Sequence, residues 1–168
     1  MSDIFPFLII AVAIALVLGP VMLMRPSQRQ QRQLKLRNCA TRMGLRVHMM
    51  PLPSLGAGSQ QGPSSPCATY CLAWPPEQAD TSGWLLLKGK MEHEIHFHGV
   101  WVWATNQAAE EHWHPLLRAV LNAIPNGVLG LGNGPQGLSV YWNEVGDEND
   151  VKVLADLLKV LQQQRLKL

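Results

Sequence analysis

Residues 4–24 hold no charged side chain, with Asp3 and Arg25 bracketing the run. An α-helix rises about 1.5 Å per residue, so such a run reaches about 30 Å, the depth of a bilayer's hydrocarbon core. A buried core helix of that length would carry a polar stripe, and none is visible. A cleavable leader would need a basic start and a small-residue cleavage site. This chain begins Met-Ser-Asp, and its apolar run ends Met22, Leu23, Met24. Residues 4–24 therefore predict one transmembrane helix, with Pro6 tolerated in its first turn and Pro20 bending it near the far end.

Charge sets the expected orientation. Arg25, Arg29, Arg32, Lys35, Arg37, Arg42 and Arg46 follow the run with no acid among them. Cations beside a spanning segment stay cytoplasmic, so the expectation is a single-pass membrane protein with its N-terminus outside and its domain inside. Arg25, Arg29 and Arg32 fall at i, i+4 and i+7 and, with Lys35, make a stripe suited to anionic headgroups. Beyond Val47 there are seven bases against eleven acids, so the domain is mildly acidic and lacks the footprint of a nucleic-acid binder. Cys39, Cys67 and Cys71 are odd in number, which favours free thiols in a reducing compartment.

The remaining chain divides into a basic helix over residues 25–44 and an α+β domain over residues 45–168, with residues 53–66 (PSLGAGSQQGPSSP) as a flexible loop. Leu36, Ala40 and Met43 share one face of that helix, and Gly44 is placed to end it. Residues 45–52, 67–74, 83–88 and 92–104 read as strands, the last as one long strand or a hairpin. Asn106, Glu110 and Glu111 mark the start of a helix carrying Trp113, Leu117, Val120, Leu121 and Ile124, with Pro115 kinking it or opening its main part. Residues 127–131 and 137–145 read as strands joined by a turn at Asn133-Gly134. Asp147 or Asn149 caps a closing helix with Val151, Leu154, Leu158 and Leu161 on one face. The second half is thus β-α-β-β-α, which predicts helices packed on one face of a largely antiparallel sheet.

No catalytic set emerges, and no cofactor is expected. Residues 132–137 match GxGxxG, but a strand-like segment follows where a dinucleotide site needs a helix. His93, His96 and His98 cluster, and on a strand Glu92, Glu94, His96 and His98 would share a face. Glu94, His96 and His98 are the candidate metal ligands, although no HExxH or Cys-His spacing accompanies them. Trp101 and Trp103 point to one side of the same strand while Val100 and Val102 point to the other, which implies a central strand covered on both faces or a surface for a partner.

Residues 24–34 (MRPSQRQQRQL), directly after an apolar span, resemble the segment behind the anchor of YajC, the accessory subunit of the bacterial preprotein translocase. The family's short β-segment does not follow Met43, and the resemblance ends there. It implies an accessory role at the bacterial inner membrane. The sequence expectation is therefore a non-catalytic accessory or scaffold protein whose domain binds protein partners in a membrane complex. The alternatives are a tethered metal-binding protein or enzyme using residues 93–98, and a YajC-like translocase accessory.

Overall fold

The computed structural model describes residues 4–23, 27–53, 66–75, 83–89, 97–104 and 108–165. They fall into two units, residues 1–34 and residues 35–168.

In the first unit, α1 (Ile4–Leu23) forms over the predicted run. The transmembrane expectation is nevertheless overturned: among the described residues, no helix is long and apolar enough to cross a membrane. The α1 side chains that are described are Phe5 and those of residues 7–16, all exposed. The single-pass anchor, the inner-membrane location and the outside-to-inside orientation are corrected with it. What stands is an exposed apolar surface that includes Phe5, Phe7 and Leu16.

Helix α2 (Gln28–Arg42) starts at a reciprocal cap. The Ser27 amide donates to Gln30 Oε1 at 2.8 Å and the Gln30 amide to Ser27 Oγ at 3.3 Å, which satisfies two N–H groups the helix leaves open. Its end is Gly44, at φ 85°, a conformation that costs a residue without a Cβ little. Leu36, Cys39 and Ala40 are the face it buries.

The second unit is built on six strands in the order β1-β2-β6-β5-β3-β4. These are β1 (Arg46–Pro51), β2 (Pro66–Ala73), β3 (Trp84–Lys88), β4 (Trp101–Trp103), β5 (Val128–Gly134) and β6 (Gly137–Trp142). Every pairing is antiparallel, as the α+β reading expected. Alternation along the strands divides the side chains between two faces. One face sends Tyr70, Leu86, Leu131, Val140 and Trp142 into a single core with α2, α3 (His114–Ala123) and α4 (Glu148–Arg165). Pro115 lies in the first turn of α3, behind a 3-10 turn at Glu111–Trp113, so it opens the main helix and does not kink it. Asp147 wins the capping role for α4: its Oδ1 accepts from the Asn149 and Asp150 amides at 2.8 and 3.2 Å.

Two strand expectations shift. Asn133 and Gly134 lie in the β5–β6 ladder, opposite Leu138 and Gly137, and the turn falls on Pro135-Gln136. A turn two residues earlier would have put Pro135, which has no N–H, into the ladder; at the first turn position its fixed φ is an advantage. Of the two readings for residues 92–104, the described part, from Phe97 on, follows the hairpin: the chain turns at Gly99 (φ 55°), where His98 bridges back to Trp101. β4 is consequently a three-residue edge strand and not a central one.

Candidate functional site

Among the described elements, the helices pack on one face of the sheet only. The other face mixes small polar residues with Met50, Leu85 and Tyr141. Thr69 lies between His48 and Tyr141 across three strands, and Cys71 pairs with Ser139. Tyr141 and Ser139 in turn face Gly130 and Gly132 of β5. Those glycines let neighbours lie across them: a Cβ at Gly132 would come within 2.9 Å of Leu85 Cδ1, and one at Gly130 within 3.1 Å of Tyr141 Cδ2. The β5–β6 turn and Trp84 close one end, leaving a cavity of about 380 Å³. Its wall near the turn is tied, because Trp74 Nε1 donates to Asn133 Oδ1 at 3.2 Å and to the Gly134 carbonyl at 3.1 Å.

Arg46 stands on this face opposite Cys71, outside the cavity lining. No Asp, Glu, Lys or Arg lines the cavity. Burial pushes the Cys71 thiol upward, against the lowering influence of Arg46, and burial likewise raises the Tyr141 phenol. A thiol held protonated is a poor nucleophile. Cys71 Sγ instead donates weakly to the Gln136 carbonyl at 3.9 Å. Thr69 is 3% exposed, and its hydroxyl oxygen has no hydrogen-bond partner, the one buried side-chain N or O in that condition among the described residues.

A charged cluster lies on the opposite, helix-covered side. Glu144, 7% exposed, sits just after β6 at φ 59°, a backbone conformation rare for a residue with a side chain. Arg37 Nε and Nη2 donate to its two carboxylate oxygens at 2.7 Å each, and the Tyr70 hydroxyl donates to Oε1 at 3.1 Å. The hydrogen bond to Glu144 raises the Arg37 guanidinium further, while burial and then the Glu144 charge keep Tyr70 firmly protonated. Every oxygen of this carboxylate is thus engaged by the fold. The cluster ties α2 to the β6–α4 loop and offers no free group for chemistry.

The residues singled out from sequence lie as follows. Arg29, Arg32 and Lys35 are exposed on α2, and Arg25 lies outside the described residues. Arg37, one cation of that basic segment, turns inward to Glu144. Trp101 is 4% exposed and part of the core; Trp103 is half-buried, edge-on to Trp84 at 6.1 Å between ring centres and tilted against Phe97 at 4.8 Å. His93, Glu94 and His96 lie outside the described residues. His98 Nε2 bonds Asn122 Oδ1 at 2.8 Å. No group of three or more metal-ligating side chains occurs among the described residues. All three cysteines are free and buried. Sequence reasoning passed over Thr69 and Glu144; neither carries a local motif.

The sheet also has an open margin. β1 pairs only with β2 among the described strands, and Met49 and Met50 on it are 51% and 45% exposed.

These features define an α+β domain: a six-stranded antiparallel sheet with helices on one face and an uncharged cavity on the other. Compared with protein families, curated proteins and solved structures, the chain matches none, so the YajC resemblance rests on residues 24–34 alone.

Proposed function

We propose that this protein is a non-catalytic binding module that takes up an extended segment of a partner protein along the outer edge of β1. The open edge of β1 is the observation that carries this reading. An edge strand presents a row of backbone donors and acceptors, and chains blunt such edges with charge or proline when no partner is intended. β1 has Arg46 at its start and Pro51 at its end, but His48, Met49 and Met50 between them carry no carboxylate, Lys or Arg. Methionine adapts its shape to different apolar surfaces, which suits it to a contact made and broken. Strand addition would obtain affinity from the backbone and selectivity from alternate side chains on either face. The exposed apolar surface of α1 is a further sign of a chain that works in contact with something else.

Photo-cross-linking in cells tests it. The full-length chain carrying a photoreactive residue in place of Met49 or Met50 should give a protein adduct, identified by mass spectrometry, that the same probe at the exposed Asp156 of α4 does not. Met49→Lys with Met50→Lys should abolish the adduct formed from a probe at His48 while leaving the circular dichroism spectrum unchanged. Equal labelling from Asp156, or an adduct that survives both lysines, would remove the basis for the proposal.

A further inference from the structure

We propose that the cavity on the helix-free face of the sheet is a binding site for an uncharged, largely apolar small molecule that carries one hydrogen-bonding group. This goes beyond the partner-binding reading and does not depend on it. The volume, about 380 Å³, lies in the range of small-molecule sites, and such sites combine apolar walls with a few placed polar groups. Trp84 and Tyr141 supply aromatic surface, and Leu85 and Met50 supply aliphatic contact.

The absence of formal charge from the lining decides the ligand class. A carboxylate or ammonium moved from water into this cavity would lose its hydration and meet no counter-charge among Asp, Glu, Lys or Arg, a loss that apolar contact does not offset. The Cys71 thiol and the Tyr141 phenol are both held in their neutral forms by burial, and Arg46, the charged side chain opposite Cys71, is exposed and outside the lining.

Thr69 identifies the polar anchor. Buried side-chain oxygens in folded proteins nearly always have a partner, and one without a partner calls for a cause. Thr69 is in the cavity wall, between His48 and Tyr141, with its hydroxyl sealed from solvent and unbonded. Valine would fill the same space on a strand without that cost. Threonine has three staggered settings about Cα–Cβ, and the proposal requires the one that turns the hydroxyl toward a group in the cavity. The hydroxyl both donates and accepts, so an amide, a carbonyl or a phenol would each satisfy it.

Saturation-transfer NMR on the full-length protein tests the proposal with three probes of one shape: benzamide, benzoate and benzamidinium. At about pH 8, above the ordinary imidazole range, benzamide should receive saturation and its two charged analogues should not. Thr69→Val should weaken benzamide binding about tenfold, the worth of one buried hydrogen bond, while leaving the thermal midpoint of the free protein equal or higher. Thr69→Ser should retain binding, and Ser139→Phe, which fills the cavity, should abolish it. No transfer to benzamide, equal transfer to the charged probes, or unchanged affinity in Thr69→Val would each overturn the assignment. Because the readout is on the small molecule, it is independent of whether β1 holds a protein partner.

Discussion

Replacing Glu144 separates two opposing contributions at one residue. Its carboxylate accepts two bonds from Arg37 and one from Tyr70, yet its backbone stands at φ 59°. Glu144→Gln keeps the backbone and the shape but removes the charge, and one amide end then faces a guanidinium donor. Breaking a buried pair by removing one partner costs about 3–5 kcal/mol. The Arg37 side chain retains 31% exposure, so water recovers part of that loss, and about 2–3 kcal/mol is the expected cost. Glu144→Gly loses the same bonds but relieves the left-handed strain, worth about 1 kcal/mol, and should be less damaging than Glu144→Ala by about that amount. Tyr70→Phe removes one bond of three and should cost about 0.5–1.5 kcal/mol. Urea unfolding of the full chain, with all variants sharing one slope, measures these differences as shifts of midpoint. A cycle of Arg37→Met, Glu144→Gln and the double variant isolates the pair, for which a coupling above about 1 kcal/mol is expected. Coupling near zero would mean that water screens the pair, and the argument that this cluster locks α2 to the sheet would be wrong.

Leu158→Ala should cost about 2–5 kcal/mol, since Leu158 is 1% exposed in the core beneath α4; an unchanged thermal midpoint would place α4 outside the cooperative unit. Stability should also fall on the alkaline side. Burial raises Cys67, Cys71, Tyr70 and Tyr141, so the unfolded chain loses these protons first. The stabilisation from their neutral forms is complete below the ordinary thiol value of about 8.5 and is lost as pH rises through that value and then the phenol value of about 10. Urea midpoints that stayed level between those two values would contradict the burial assigned to the helix-free face.

The helices were the most legible part of the chain because their signals are local. The i, i+3, i+7, i+10 spacing of Val151, Leu154, Leu158 and Leu161 survives as the buried stripe of α4. The Leu36 and Ala40 face, together with Gly44, gave the end of α2 to within a residue or two. The strands were legible as segments but not as register. Asn-Gly is a strong turn signal in isolation, yet the ladder has to place Pro135 somewhere, and only a shift of the turn keeps it out of the paired positions. The edge position of β4 was likewise invisible, because Trp101 and Trp103 suit a covered strand and an edge strand whose inner face meets the core. At the N-terminus an uncharged run looked long enough to span a bilayer, whereas among the described residues no helix is long and apolar enough to do so.

The features that give this domain a site come from residues far apart in the chain, and that is why sequence reasoning missed them. Arg37 and Glu144 are separated by 107 positions, and nothing near either announces the other. Read locally, Arg37 was one more cation of a basic segment and Glu144 one residue of the strand read over residues 137–145. Thr69 is still less conspicuous, since threonine is an ordinary strand residue and its missing hydrogen bond exists only once His48 and Tyr141 flank it. The histidines attracted notice for the opposite reason: proximity in sequence suggested a shared metal, and His93 and His96 lie outside the described residues. His98, the one member of residues 93–98 whose contacts are described apart from Phe97, spends its ring on Asn122. Side chains that share a cavity wall across five strands leave no periodicity to read, so the site follows from the register of the sheet and from nothing shorter.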